Sequence, residues 1–86
     1  MPRALTIQRT LVTPAERDRF QEQLRRKRDY YVKANCRFWA FEEASLPGAF
    51  LEFIEAADPD TLVRAHHAAP EPLLDPARVY MEVEFR

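Results

Sequence analysis

Three observations on the sequence predict an α+β domain with the element order strand, helix, strand, strand, helix, strand. Apolar and polar residues alternate near both ends, from Arg3 to Val12 and from Val79 to Phe85. Two segments open with a capping residue followed by Pro, at Thr13-Pro14 and at Asp58-Pro59. Between them a Pro-Gly turn separates two short aromatic runs.

Taken in order, the first strand alternates Leu5, Ile7 and Leu11 with Thr6, Gln8 and Thr10, a period of two. Thr13-Pro14-Ala15-Glu16 then supplies an N-cap hydroxyl, a Pro at the first helical position and a Glu three residues after the cap, so that two unpaired amides can be satisfied reciprocally. The helix is expected to run to about Ala34, with Phe20, Leu24 and Tyr31 on one stripe. Its acidic residues Glu16, Asp18 and Glu22 come early and its basic residues Arg25, Arg26, Arg28 and Lys33 late, the sense that the helix dipole favours. Asn35 suits the left-handed position after it.

Cys36 to Phe41 is apolar at both parities apart from Arg37, so cover is expected on both faces of this second strand. Leu46-Pro47-Gly48-Ala49 reads as a turn and Phe50 to Ile54 as a third strand, together an antiparallel hairpin. Asp58-Pro59-Asp60 opens a second helix on which Leu62, Ala65, His66 and Ala69 share a stripe, and Pro70 stops it. A connector, Pro70 to Arg78, leads to the last strand, in which Val79, Met81, Val83 and Phe85 are expected to turn toward the helices. This order is the split βαβ, ferredoxin-like arrangement: a four-stranded antiparallel sheet with two helices on one face.

With 86 residues, 1 Gly and no repeat or low-complexity tract, residues 1–86 read as a single domain. A chain of this length buries only about 60–65% of its unfolded surface, yet it carries 10 aromatic residues, 6 Phe, 3 Tyr and 1 Trp. The sheet face away from the helices cannot be wholly polar, because the second strand is apolar at both parities. A homodimer that hides this face is therefore expected. No apolar run approaches the roughly 20 residues of a membrane helix, and a lone Cys36 allows no internal disulfide. The expectation is a cytoplasmic protein with no membrane partner. A balance of 13 basic against 14 acidic side chains leaves no broad basic face, so Arg25-Arg26-Lys27-Arg28 reads as a solvated helix surface and no nucleic-acid partner is expected. Gly-rich phosphate loops, zinc spacings and nucleophile elbows are absent, and no cofactor or metal is assigned.

The element order, the Pro-Gly hairpin after Phe38-Trp39-Ala40-Phe41-Glu42-Glu43, the strand Phe50-Leu51-Glu52-Phe53-Ile54-Glu55 and the pair Ala65-His66 in the second helix resemble the dimeric α+β barrel superfamily, and within it the antibiotic biosynthesis monooxygenase-like group. The resemblance implies a two-fold dimer whose sheets form a barrel, with a ligand cavity between sheet and helices in each subunit. Members oxygenate aromatics without a cofactor, degrade haem, isomerise, cyclise or bind ligands without chemistry. Ala57 stands where the family's oxygenases commonly have a Trp, and the first strand offers Thr6, Gln8 or Arg9 where haem-degrading relatives have an Asn.

His66 lies on the sheet-facing stripe, where a neutral imidazole can serve as general base or axial ligand; the plainer alternative is a buried His hydrogen-bonded near a helix end. His67 points about 100° away. Arg9 interrupts the apolar parity of the first strand and is expected either to pair with Glu52 or to line a polar cavity. Lys27 falls within the Phe20-Leu24-Tyr31 stripe and either snorkels to the edge or looks into the cleft. Trp39 and Tyr31 are aromatic at core periodicity and can also stack on a flat ligand, while Cys36 reads as a small buried hydrophobe. The candidate catalytic set is thus His66 as base with Arg9 or Tyr31 steadying an oxyanion, and the candidate ligand contacts are Trp39 and Glu52. The function expected is binding of a small flat apolar or aromatic molecule, with monooxygenase-like or isomerase-like chemistry, or else a non-catalytic interaction module with a filled core.

Overall fold

Four strands, β1 (Ala4–Leu11), β2 (Arg37–Glu42), β3 (Ala49–Ala56) and β4 (Tyr80–Met81), form one antiparallel sheet in the order β2-β3-β1-β4. Two helices, α1 (Arg17–Lys33) and α2 (Pro59–His67), cover one face of it. The computed structural model describes residues 2–70 and 78–85, so the connector expected from Pro70 to Arg78 falls, over 71–77, outside the described residues. The α+β architecture is compatible with a ferredoxin-like fold.

The entry into α1 differs from the expected capping box. Pro14–Glu16 form a single 3-10 turn, and the Thr13 hydroxyl donates to the Glu16 carboxylate at 2.9 Å instead of accepting an amide. The end of α1 is as read: Asn35 takes a left-handed φ of 65°, and the Cys36 amide turns back onto the Tyr31 carbonyl at 2.8 Å. The Asp58 carboxylate caps α2, accepting from the Thr61 amide at 2.7 Å and the Thr61 hydroxyl at 3.0 Å.

The register decides which side chains meet the helices. Thr6 pairs with Ile54, Gln8 with Glu52 and Thr10 with Phe50, and Phe38 also pairs with Ile54. These even-numbered positions lie under α1 and α2, where Ala4, Tyr31, Cys36, Ile54, Ala56, Leu62 and Ala65 form the core. The odd-numbered positions, Leu5, Ile7, Arg9 and Leu11 in β1, Trp39 and Phe41 in β2, and Leu51 and Phe53 in β3, lie on the opposite face. The apolar parity of β1 thus points away from the helices and its Thr/Gln parity points toward them.

The five aromatics of the hairpin divide accordingly. Phe38 stacks on Tyr31 and Phe50 packs on Phe20 beneath α1, whereas Trp39, Phe41 and Phe53 cluster on the open face. Phe41 is 58% exposed, so the cover expected on both faces of β2 is present on one only within the subunit.

The last strand is shorter than its alternation predicts. Antiparallel pairing sets Tyr80 against Leu5 and Met81 against Ala4, and the next bond, from the Glu82 amide to the Arg3 carbonyl, uses the last residue before β1. Beyond it, among the described residues, no neighbouring strand continues the ladder. Val79 packs against the core, but Met81, Val83 and Phe85 are exposed, the last at 90%.

Gly48 closes the β2-β3 loop with φ at 92°, its carbonyl accepting from the Val12 amide at 2.8 Å. A Cβ there would collide with the Val12 carbonyl oxygen, a backbone atom that cannot swing aside. Gly48→Ala is expected to cost about 1–3 kcal/mol, read as a fall in Tm by circular dichroism; an unchanged Tm would mean that the turn can abandon this conformation freely.

Candidate functional site

A seam of polar side chains runs between the helices and the sheet. α1 contributes Lys27 and Tyr31, four residues apart on its inward face, α2 contributes His66, and the strands contribute Thr6 and Glu52. Burial is nearly complete: Glu52 is 0%, Thr6 1%, Tyr31 1% and His66 8% exposed.

At one end of the seam the His66 ring is held by two hydroxyls, Tyr31 Oη at 2.9 Å from Nδ1 and Thr6 Oγ1 at 2.8 Å from Nε2. The Thr6 hydroxyl donates to the Arg78 carbonyl at 3.4 Å, and a carbonyl can only accept. With that single proton committed, Thr6 accepts from His66 Nε2–H, and Nδ1 accepts from the Tyr31 O–H. The network places a proton on Nε2, and burial, which disfavours the imidazolium, leaves Nδ1 as the acceptor at the centre of a directed chain running from α1 through α2 to β1 and the residue leading into β4. Burial, reinforced by the nearby His67, holds the imidazole below the ordinary value of 6.5. Burial likewise pushes the Tyr31 phenol up, with Tyr30, Cys36 and Glu52 adding to the effect. Tyr30 ties the same two helices together by donating to the Ala65 carbonyl at 2.6 Å.

In the middle of the seam Lys27 Nζ donates to Glu52 Oε1 at 2.9 Å, and the other carboxylate oxygen, Oε2, is buried with no hydrogen-bond partner among the described residues. Lys27 therefore looks into the cleft and does not snorkel. Beyond it a cavity of about 330 Å³ opens between the first half of α1 and the end of β1, lined by Gln8, Thr10, Leu11, Phe20, Gln23 and Lys27 among others.

The predicted residues separate into two groups. His66 and Tyr31 are brought into direct contact, and Glu52 lies on the same side of the sheet. Arg9 and Trp39 lie on the other side. The pairing expected between Arg9 and Glu52 is not formed: Arg9 approaches Glu43 at 3.8 Å, and Glu52 pairs with Lys27. The physical reason is parity, since Arg9 stands opposite Leu51 and Gln8 stands opposite Glu52. Trp39 stacks on Phe53 at 5.9 Å between ring centres on the open face, away from the cleft. His67 is exposed, and Cys36 is buried, its thiol pushed up by burial.

Sequence reasoning missed the roles of Thr6 and Gln23, and it left Lys27 between the cleft and the edge without naming Glu52 as its partner. The available signal was that Gln23 and Lys27 repeat at i, i+4 beside the apolar stripe, while Thr6, Gln8 and Thr10 repeat at i, i+2. Among the described residues no group of three His, Cys, Asp or Glu side chains is placed to hold one metal ion. No described helix is long and apolar enough to cross a membrane. Comparison with protein-family models, with curated proteins and with solved structures finds no match to this chain.

Two predictions concern the seam. Because the folded chain keeps His66 neutral below 6.5 while the unfolded chain takes up a proton there, the unfolded state binds more protons and stability falls as the pH drops through 6.5. This window lies above that of Glu42, whose carboxylate is held at about 2 by Arg17 and the Gly48 amide. The Tm is expected to fall between pH 7.5 and 5.5, and His66→Gln to flatten that slope; a wild-type Tm constant over this range would contradict the neutral assignment. Lys27→Met leaves Glu52 buried and unpaired, at a cost of about 3–5 kcal/mol. The double variant Lys27→Met/Glu52→Leu should recover most of that loss in urea unfolding, and additive losses would show that the two groups are not coupled.

Proposed function

We propose that this protein is a homodimeric binding module of the α+β barrel type that holds a small flat aromatic molecule in the cleft between α1 and the sheet. The observation carrying this reading is that polar faces confront one another: Gln23 and Lys27 of α1 look across a cavity of about 330 Å³ at Gln8 and Thr10 of β1. Two polar walls cannot close on each other as a dry core without leaving donors and acceptors unsatisfied, and a space of this size lies within the roughly 300–1,000 Å³ of small-molecule sites. Phe20, which packs on Phe50 at 4.8 Å and also lines the cavity, offers a ring against which a flat ligand stacks.

The dimer rests on the open face. Trp39, Phe41 and Phe53 form an aromatic cluster there beside Ile7, Leu51 and Tyr80, with Ile7 39%, Leu51 36% and Tyr80 48% exposed. A contiguous apolar surface of this kind marks an interface, and an isologous two-fold contact covers it with an identical patch.

Binding without chemistry is the reading favoured here, because both nitrogens of His66 are occupied by internal hydroxyls and neither faces the cavity. Monooxygenase-like or isomerase-like chemistry is the second reading. A neutral imidazole in contact with a phenol favours it, but it requires a substrate to displace Tyr31 or Thr6 from the ring.

Light scattering after size exclusion should give about twice the 10.1 kDa chain mass, and Leu51→Lys should reduce it to the monomer; a monomeric wild type at tens of micromolar sinks the dimer. Titration of the full chain with 4-methylphenol should move the amide resonances of Thr10, Phe20 and Gln23. Shifts confined to the open face would place the ligand elsewhere.

A further inference from the structure

The walls of the cleft balance one another in charge, and that balance bears on what can enter. Glu16 and Arg19 line it at the entry to α1, Lys27 lines it further along, and the Glu52 carboxylate behind Lys27 supplies the remaining charge. Two positive and two negative groups leave no net charge for a ligand to complete. Hydrogen-bonding capacity is mixed in the same way. Lys27 donates, Glu52 Oε2 is a buried acceptor with no hydrogen-bond partner among the described residues, and the Gln8 and Gln23 carboxamides each carry both a donor and an acceptor. An ion entering such a space gives up its water with no counter-charge left to meet it.

One group in the walls is idle. Gln23 is half-buried, lines the cavity and makes no hydrogen bond or ion pair among the described residues. A carboxamide holds N–H and C=O side by side in one plane, so its full complement is a planar group with an acceptor next to a donor, as when a glutamine reads an adenine edge. From the other wall, Thr10 lines the same cavity, and its Oγ1 is buried with no partner either. Phe20 stands one turn before Gln23 on α1 and sets its ring in the lining. We infer that the cleft selects an uncharged aromatic carboxamide, its C=O and one N–H taken by Gln23, its second N–H by the Thr10 hydroxyl oxygen, and its ring seated on Phe20. A carboxylate lacks the donor that Gln23 Oε1 requires, and an ammonium lacks the acceptor that its N–H requires. This inference rests on the cleft being a ligand site, and it adds the chemistry of the ligand's polar end.

The test titrates the full chain at neutral pH with benzamide, benzoate and benzylammonium, probes of similar size, while amide resonances are followed by NMR. Saturable benzamide binding at Thr10, Phe20 and Gln23 is expected, with both ions roughly tenfold weaker, the scale of one hydrogen bond lost. Gln23→Met keeps the length of the side chain and should weaken benzamide by about the same factor, with the Tm of the free protein kept, since the group it removes has no partner to lose. Gln23→Glu removes the donor and adds a negative charge to a balanced cleft, so the preference should pass to benzylammonium. Unchanged benzamide affinity in Gln23→Met, or an unchanged ranking in Gln23→Glu, overturns the inference. Benzoate or benzylammonium matching benzamide on the wild type overturns the carboxamide preference and leaves the ligand cleft standing, as does a response to 4-methylphenol with none to benzamide. If none of the four probes moves these resonances, the inference and the ligand cleft fall together.

Discussion

Glu52 is fully buried, and a carboxylate in that position is tolerable only with a counter-charge held close. Lys27 supplies it at 2.9 Å, from the inward face of α1. Removing either member would leave a buried charge uncompensated, at a cost of several kcal/mol. The pair therefore acts as a constraint on the whole sheet. For Glu52 to sit beneath α1, β3 must turn its even-numbered residues to the helices, and the register then brings Gln8, Thr6 and Thr10 of β1 to the same side. The odd-numbered apolar residues of β1, β2 and β3 are left with no helix to cover them.

The second polar group in the seam has a different task. The chain from Tyr31 through His66 and Thr6 to the Arg78 carbonyl links α1, α2, β1 and the approach to β4, four pieces far apart in sequence. Each bond is directional, so the chain fixes relative orientation in a way that apolar packing alone does not. Every member is satisfied, which is the condition under which a buried polar network stabilises. The orphaned oxygens lie elsewhere, on Glu52 and Thr10, toward the other end of α1. This contrast separates the satisfied end of the seam, which holds the fold together, from the end that lines the cavity beside α1 and β1.

The two faces of the sheet divide the remaining work. On the open face the aromatic cluster is bounded at one end by an ionic chain in which Arg3 meets Glu82 at 2.6 Å and Glu55 at 3.1 Å, and Arg37 meets Glu55 at 3.7 Å. Being exposed, these pairs add little stability individually. Their contribution is to set charge along one edge of an apolar centre. On the covered face the order is reversed: polar groups lie along the middle and apolar groups flank them.

The sequence by itself determined the elements and their order, because alternation, capping residues and turn residues act over a few positions and are legible locally. Asp58 as a cap, Asn35 in the left-handed region and His66 on the sheet-facing stripe of α2 are of this kind. Alternation in β1 showed that there were two faces, but not which one the helices would take. That choice belongs to the tertiary structure, since it follows from Glu52 and Lys27 meeting across 25 residues of chain and from the register that joins β1 to β3. The same choice moved Arg9 and Trp39 away from His66 and Tyr31. The two-residue β4 has a separate cause, because a strand's length depends on the neighbour it pairs with as well as on its own pattern.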